Sequence, residues 1–266
     1  MRWHRVREGV GGQLALFAGL LLLGLLLAGA SFGWLPILYV VGGPLRRERT
    51  RVFITKLFRC YLEILSAWGL MHTDLNALDP LPSQGAMLIA ANHPSLLDAI
   101  MIISRLPNAT CIMKASLLRN PLLGFGARVA GYIRNDSTRS LVRDAVQDLL
   151  SGSQLVIFPE GTRTAQAPIN PLKGAFATIA ERAGVPIQLI LIESNSQFLG
   201  KGWPLWRRPD FPLRYRVTLI ERLDPGPGRD QLVVQSDMAL RRALKANQAT
   251  VGGSHPAVRG DSNLMT

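Results

Sequence analysis

Hydrophobic positions concentrate in one long N-terminal stretch, and after it they recur at short intervals. Residues 14–41 include no charged side chain. This run of about 28 residues exceeds the roughly 20 that a helix needs to cross a bilayer. We therefore predict a membrane anchor with basic flanks over residues 1–50. The flanking residues are Arg2, Arg5 and Arg7 before the stretch, and Arg46, Arg47, Arg49 and Arg51 after it.

Three forms of this anchor fit the sequence. It can be a single spanning helix, a membrane-inserted helical hairpin broken around residues 29–36, or a cleavable signal peptide. The signal-peptide form rests on Ala28-Gly29-Ala30, which resembles a cleavage site, although apolar sequence continues beyond it. The arginines after the stretch favour a main domain in the cytoplasm, bound to the inner (cytoplasmic) membrane.

The apolar stretch also contains Gly29-Ala30-Ser31-Phe32-Gly33, which matches the G-x-S-x-G motif of hydrolases. That motif requires a strand before it and a helix after it on a soluble sheet. Here it lies within membrane-grade apolar sequence, so we expect its small residues to allow a kink or close helix packing.

Residues 51–75 have the pattern of a helix, which either lies amphipathically at the membrane interface or packs on the domain that follows. The apolar positions at helical spacing are Phe53, Leu57, Tyr61, Ile64 and Trp68.

Residues 76–246 alternate between strand-like and helix-like segments. Strands are predicted at 86–91, 110–114, 155–158, 185–192 and 213–220. Helices are predicted at 95–104, 117–130, 138–150 and 173–183. This order predicts an α/β fold with a mixed, largely parallel sheet covered by helices. Residues 247–266 are weakly patterned and predict a disordered tail.

Composition narrows the class of partner. The 266-residue chain has a formal net charge of +12, yet its mean hydropathy is positive, at +0.18. The charge favours anionic partners, and the hydropathy favours a membrane surface or an acidic lipid over nucleic acid. Cys60 and Cys111 have neither metal-ligand spacing nor a disulfide framework, so we expect two free thiols and no metal site.

The first candidate chemical cluster is Asn92-His93-Pro94-Ser95-Leu96-Leu97-Asp98, which follows a predicted strand and opens a predicted helix. On a continuous helix, His93 and Asp98 would lie on different faces. If His93 instead occupies the corner between strand and helix, Asp98 can reach one imidazole nitrogen. The other nitrogen then remains available as a general base. The alternative is a capping histidine with an unrelated aspartate on the helix surface.

The second cluster is Phe158-Pro159-Glu160-Gly161-Thr162-Arg163, which also follows a strand. In a parallel sheet both clusters lie at the carboxyl edge, where ligands bind. Glycine, a hydroxyl and an arginine in one turn suit a phosphate group. The alternative is an ordinary Pro-Gly turn.

Together the two clusters closely resemble the lysophospholipid/glycerolipid acyltransferase family, whose best-known members are 1-acyl-glycerol-3-phosphate acyltransferases. The resemblance covers residues 84–222. It departs from the family pattern at Asn135-Asp136 and at Gln188-Leu189, and both regions help to shape the acceptor site. Further matching segments are Lys114 to Leu117, Asn120-Pro121-Leu122-Leu123-Gly124, Gly131-Tyr132-Ile133-Arg134, Pro171-Leu172-Lys173-Gly174-Ala175 and Val185-Pro186-Ile187.

The resemblance implies a role for each candidate residue. His93 would deprotonate an acceptor hydroxyl, Asp98 would orient His93, and the oxygen would attack a thioester carbonyl directly. The acceptor's phosphate would be held by Arg134, Gly161, Thr162 and Arg163, with Glu160 supporting their loop. Asn92 and Lys114 are possible substrate contacts.

The resemblance also implies the partners. The co-substrate would be acyl-CoA or acyl carrier protein, with no further cofactor, and the acceptor a lysophospholipid in a membrane. Three alternatives stay open at this point: a specialised non-glycerolipid acceptor, a non-catalytic lipid-binding protein of the same fold, and a hydrolase of the same thioester or lipid.

Overall fold

The structure, a computed structural model, describes residues 10–165 and 168–252. The basic flank Arg2, Arg5 and Arg7 therefore lies outside the described residues, and the disordered tail predicted at 247–266 lies largely outside them. Position 246 was predicted to end the domain, but the last helix continues past it to Gly252, and residues 253–266 are not described.

In the part of the chain that the structure describes, seven strands form one sheet, with helices on both of its faces. The strands are β1 (Met71–Asp74), β2 (Met87–Ala91), β3 (Ala109–Lys114), β4 (Ile133–Asn135), β5 (Gln154–Ile157), β6 (Ile187–Ser194) and β7 (Leu213–Leu223). The helices are α1 (Val10–Ala28), α2 (Leu35–Val41), α3 (Arg46–Ala67), α4 (Asp98–Ile103), α5 (Ala115–Leu118), α6 (Gly124–Val129), α7 (Thr138–Leu150), α8 (Ala175–Ala183) and α9 (Arg229–Gly252).

The strand order is β1-β7-β6-β2-β5-β3-β4. Neighbouring strands are parallel from β6 through β2, β5 and β3 to β4. β7 runs antiparallel to β6, and β1 is parallel to β7. The mixed, largely parallel sheet expected from the sequence is therefore confirmed.

Both faces of the central strand β2 are buried, and the alternation of side chains divides the core in two. Met87 and Ile89 contribute to one hydrophobic cluster, beneath α3 and α4. Leu88 and Ala90 contribute to the other, beneath α7 and α8. This burial on both faces explains why the strand is a continuous apolar run in the sequence.

The apolar stretch forms one continuous helix, which we call the apolar helix (residues 10–41: α1, a π turn at Gly29–Trp34, and α2). The chain does not turn back around residues 29–36, so of the forms left open by the sequence the hairpin broken there is not observed. It turns back later, at Gly43–Leu45. In length and composition this is the one helix of the described residues that is long and apolar enough to cross a membrane.

The apolar helix runs antiparallel to α3 along its length. Near one end, a Cβ on Gly19 would lie 3.3 Å from Leu65, and towards the other end the Trp34 ring stacks on Phe53 at 6.2 Å. One face of α3 is buried in the domain core, which favours the packing interpretation of residues 51–75.

Several helices begin or end at residues other than those predicted. The α7 prediction is confirmed at both ends. The helix expected at 95–104 is shorter, because residues 95–97 form a turn and the helix begins at Asp98. The helix expected at 117–130 is split by an interruption that includes Pro121. β1 and β4, which have only 4 and 3 residues, were not predicted from the sequence.

Candidate active site

His93 lies directly after β2, at the carboxyl end of the central strand. Residues 92–97 are non-helical, and Asp98 is the first residue of α4. The turn brings Asp98 back, so that its Oδ2 lies 2.8 Å from His93 Nδ1. The expectation that His93 occupies a strand-to-helix corner is thus met. Because Asp98 contacts Nδ1, the other ring nitrogen, Nε2, does not pair with Asp98.

The Asp98 carboxylate is fixed and completely shielded from solvent. Its side chain is 0% exposed, against 17% for His93, and its Oδ2 also accepts a hydrogen bond from the Ser95 backbone N–H at 2.8 Å. Burial raises the pKa of the Asp98 carboxyl, while the hydrogen bonds from His93 and Ser95 oppose that rise. A buried carboxylate in this position stabilises positive charge on the imidazole when a proton arrives.

The plane of the imidazole is held by Phe158, the residue after β5. The two rings stack at a centroid distance of 3.9 Å and an interplanar angle of 15°. Phe158 belongs to the second cluster predicted from the sequence, but this contact was not predicted. The sequence feature that could have predicted the contact is that Phe158 follows β5, the strand that pairs with β2.

Glu160 joins the two clusters. Its Oε1 accepts hydrogen bonds from the His93 backbone N–H at 2.9 Å and from the Thr164 hydroxyl at 2.7 Å. Its Oε2 accepts from the Asn170 backbone N–H at 2.9 Å. Because the side chain is 2% exposed and both oxygens are occupied, Glu160 supports the loops and does not face a ligand.

Asn92 is likewise occupied within the protein. Its Nδ2 donates to the Ile192 carbonyl at 2.9 Å and its Oδ1 accepts from the Ile192 backbone N–H at 2.7 Å. This pair of bonds attaches the end of β2 to β6. Asn92 therefore positions the strand that carries His93, and its buried amide does not offer a substrate contact.

The turn after Glu160 presents Gly161 and Thr162 to solvent. Gly161 has a φ of +69°, and a Cβ there would lie 2.7 Å from Lys173 Nζ. Glycine thus allows the Lys173 ammonium to approach the turn closely. Lys173 was predicted only as part of a matching segment, because no local pattern in the sequence shows that it returns to this turn.

Arg163 reaches across to the loop after β6. Its Nη1 donates to the carbonyls of Leu199 and Gly200, at 2.8 and 2.7 Å. Since Leu199 also accepts a hydrogen bond from the Leu96 N–H, this loop borders the His93 turn. The Nη1 group of the Arg163 guanidinium is therefore used in contacts within the protein.

Arg134 and Lys114 lie on the other side of His93. Lys114 is the last residue of β3 and Arg134 the middle residue of the paired strand β4, and both are exposed. β4 is three strands from β2, about 14 Å at ~4.8 Å per strand. Arg134 forms an ion pair with Asp136. Arg134 is thus paired beyond β3 and β5, whereas Arg163 contacts the loop that follows β6.

The Ser95 hydroxyl and the Cys111 thiol are both poorly suited to form a covalent intermediate. The Ser95 hydroxyl is buried and donates to the Phe198 carbonyl at 2.9 Å. Cys111 is buried, and burial raises the pKa of its thiol to about 12. The described site therefore suits proton abstraction by His93 from a bound hydroxyl, followed by attack of that oxygen on an electrophile.

Comparison with known proteins identifies relatives across this region. A family model described as Acyltransferase matches residues 72–193, which include both clusters. The chain is 31% identical over 218 residues to the lyso-ornithine lipid O-acyltransferase of Pseudomonas aeruginosa, covering 76% of this chain and 80% of that protein.

Other curated relatives are longer than this chain. It is 27% identical over 189 residues to the chloroplastic 1-acyl-sn-glycerol-3-phosphate acyltransferase BAT2 of Brassica napus, covering 66% of this chain and 54% of that protein. It is 29% identical over 177 residues to the human 1-acyl-sn-glycerol-3-phosphate acyltransferase alpha, covering 64% and 62%. The match thus spans only about half to three fifths of these relatives.

A solved structure has the same fold. The crystal structure of the 1-acyl-sn-glycerophosphate (LPA) acyltransferase PlsC from Thermotoga maritima superposes with a TM-score of 0.66, covering 86% of this chain and 96% of that chain. The two sequences are 21% identical.

Proposed function

We propose, from the premise that this chain belongs to the acyltransferase family, that it transfers a fatty acyl group from a thioester donor to the hydroxyl of a lysophospholipid such as 1-acyl-glycerol-3-phosphate. The donor is acyl-CoA or acyl carrier protein. The observation that carries the proposal is the 2.8 Å contact between His93 Nδ1 and the buried Asp98, at the carboxyl edge of the sheet.

In the proposed reaction, His93 Nε2 accepts the proton of the acceptor hydroxyl as its oxygen attacks the thioester carbonyl. Asp98 keeps the proton on Nδ1 and stabilises the imidazolium that forms. The tetrahedral intermediate collapses, the carbon–sulfur bond breaks, and the leaving thiolate takes the proton from His93. The products are an ester and a free thiol, and His93 returns to its starting state.

Apolar surroundings support a fatty substrate. A pocket beside the site is lined by Leu97, next to Asp98, and by Leu199, whose carbonyl accepts from Arg163. The apolar helix and α3 supply its other walls, including Leu16 and Leu65. An acyl chain that follows these side chains would leave its carbonyl near His93 and bury its methylenes away from water.

A second acceptor class is favoured by a specific contact. Asp136, at a departure from the family pattern, pairs with Arg134, one of the two arginines expected to hold a phosphate. The Pseudomonas relative that the chain matches over most of both lengths is named for a lyso-ornithine lipid. The second candidate is therefore the same transfer to a specialised acceptor without a phosphate, such as a lyso-ornithine lipid.

The direct test is product identification. Purified protein in detergent would be incubated with a labelled acyl thioester and separate acceptors: 1-acyl-glycerol-3-phosphate, other lysophospholipids and a lyso-ornithine lipid. We expect labelled diacyl product from the phosphate-bearing acceptor in wild type and none in His93→Ala. Product from the lyso-ornithine lipid alone would support the second candidate. Release of free fatty acid without acceptor-dependent product would indicate a hydrolase, and no turnover would indicate a binding protein.

We also propose that the apolar helix attaches the protein to the cytoplasmic membrane, with the site facing the cytoplasm. Leu14, Leu21, Leu25 and Phe32 are more than 60% exposed along this helix, a contiguous apolar surface that water disfavours. Full-length protein should therefore remain in the membrane pellet after a carbonate wash. Recovery of the unprocessed full-length chain in the supernatant would contradict this attachment.

A further inference from the structure

A second basic site lies at the edge of the sheet opposite His93. Asn108 and Ser151, which precede β3 and β5, border a cavity of about 530 Å³. His93 and Glu160 follow the opposite, carboxyl ends of β2 and β5. The length of the strands therefore separates this cavity from the candidate active site, and the acyl transfer proposed above does not use it.

Four arginines line the cavity: Arg46, Arg47, Arg51 and Arg128. One acidic side chain, Glu48, lines it with them. Within residues 10–165 and 168–252, neither Arg46 nor Arg128 forms an ion pair with an acidic side chain. The cavity therefore has excess positive charge, which attracts anions.

The cavity is built on a buried arginine, Arg51, whose three guanidinium nitrogens each donate a hydrogen bond. Arg51 is 3% exposed, and its Nη2 lies 2.6 Å from Asp148 Oδ1. Its Nε donates to the Ala130 carbonyl at 2.9 Å and its Nη1 to Asn108 Oδ1 at 3.0 Å. This network fixes the first turns of α3 against the sheet. The backbone that carries the neighbouring arginines, Arg46 and Arg47, is therefore held in place.

Two of the other arginines are positioned by close contacts. The Arg46 guanidinium lies 4.4 Å from the centre of the Tyr39 ring. Gly131 has a φ of +75°, and a Cβ there would lie 2.6 Å from Arg47 Nε. Glycine thus makes room for the Arg47 side chain to cross the turn before β4. Arg47 is 60% exposed and lies 3.8 Å from Asp148, whose Oδ1 is already bound by Arg51.

An apolar rim adjoins the arginines. Tyr39, Val40 and Val41, in the last turn of the apolar helix, are 50%, 81% and 65% exposed, and Leu45 is 47% exposed. A ligand that suits both parts has an anionic phosphoryl head for the guanidinium groups and apolar chains for the end of the helix. An anionic phospholipid has this combination, whereas a free phosphate uses only the arginines.

We propose that this arginine cavity binds the phosphoryl headgroup of an anionic membrane phospholipid. The bound lipid would hold the end of the apolar helix and the start of α3 at the membrane surface. The basic residues at 46–51 would then bind a specific lipid, in addition to favouring one orientation of the protein in the membrane.

The test is a binding titration of the full-length chain in neutral detergent. Three probes would be added separately: dihexanoyl phosphatidylglycerol, dihexanoyl phosphatidylcholine and inorganic phosphate. The variant Arg46→Gln/Arg47→Gln removes two cavity arginines, and Arg128→Gln removes a third from another element. Arg49→Gln is the matched control, because Arg49 is an exposed residue of the same helix that does not line the cavity. The thermal midpoint without ligand verifies that each variant is folded.

We expect wild type and Arg49→Gln to bind phosphatidylglycerol equally. The double variant should bind about tenfold more weakly or worse, since charged hydrogen bonds are lost, and Arg128→Gln should bind more weakly than wild type. Phosphatidylcholine should bind more weakly than phosphatidylglycerol. Equal affinity in the double variant, or an equal loss in Arg49→Gln, would overturn the site. Phosphate binding as tight as lipid binding, with the same dependence on Arg46 and Arg47, would overturn the lipid assignment in favour of a free anion. Because binding is measured without turnover, the result does not depend on the proposed transfer reaction.

Discussion

The buried carboxylate of Glu160 accepts a hydrogen bond from the backbone N–H of His93 at 2.9 Å. This contact joins the loops that follow β2 and β5. A second bond between these loops runs from the Thr164 backbone N–H to the His93 carbonyl at 2.7 Å. The position of the candidate base is therefore set by the loop that also presents Gly161 and Arg163.

Replacing Glu160 should damage both stability and turnover. Glu160→Ala leaves the His93 N–H and the Thr164 hydroxyl without this acceptor, which should lower the free energy of unfolding by about 1–3 kcal/mol. Turnover should fall further than stability explains, because the imidazole is displaced. Denaturant unfolding and kcat measured on the folded fraction test this. Glu221→Ala, at an exposed position of β7, should change neither, and an unaltered Glu160→Ala protein would contradict the contact.

Removing the candidate base should abolish transfer without unfolding the protein. His93→Ala should reduce turnover by about 10²–10⁴-fold, the usual contribution of a general base. Asp98→Asn should also reduce turnover steeply, because a neutral amide cannot stabilise the imidazolium. The measurement is the initial rate of labelled ester formation. His72→Ala, at an exposed position of β1, is the matched control, and wild-type rates in folded His93→Ala protein would end the mechanistic proposal.

The Arg134–Asp136 pair should govern the choice of acceptor. Asp136→Asn removes the negative charge beside Arg134, so the apparent KM for a phosphate-bearing acceptor should fall, and Arg134→Gln should raise it. The donor KM should stay within about threefold, because only one substrate loses or gains binding. Asp144→Asn is the control, since Asp144 forms a similar exposed pair with Arg143. A change in the donor KM alone would indicate that Arg134 binds the acyl carrier.

Arg163 has a separate prediction, because it contacts the loop at Leu199 and Gly200. Arg163→Lys keeps the charge and loses the planar guanidinium, whose Nη1 donates to both carbonyls. We expect the acceptor KM to rise and the donor KM to change by less than about threefold. Steady-state kinetics with each substrate varied in turn is the measurement. An unchanged acceptor KM would remove Arg163 from the acceptor site.

The buried ion pair of Arg51 and Asp148 should matter far more for stability than exposed pairs do. Arg51→Gln removes the close cationic partner of the Asp148 carboxylate, whose side chain is 4% exposed, and breaking a buried ion pair in this way typically costs about 3–5 kcal/mol. Arg105→Gln breaks the more exposed pair with Asp79, for which about 0–1 kcal/mol is expected. Denaturant unfolding of the two variants checks the difference, and similar losses in both would show that the Arg51 network contributes little.

Much of the candidate site was accessible from the sequence because its key contact is local. His93 and Asp98 are five residues apart, so one turn decides whether they meet. The amphipathic repeat of α7 and the apolar runs of β2 and β6 are also local patterns. β1 and β4 were missed because strands of 4 and 3 residues are too short for periodicity to distinguish them from loops.

The sequence by itself determined the α/β class, the apolar helix and the pairing of the two motifs at one edge of the sheet. These follow from short-range periodicity and from the rule that parallel strands end at the same edge. Only the tertiary structure decided how the candidate residues divide their work. It directed Glu160 and Asn92 inward, paired Arg134 with Asp136, and stacked Phe158 on His93. It also joined Arg51 to Asp148, which lie 97 residues apart in the chain. These contacts depend on strand order and on loops that meet only after folding, so no local pattern in the sequence specifies them.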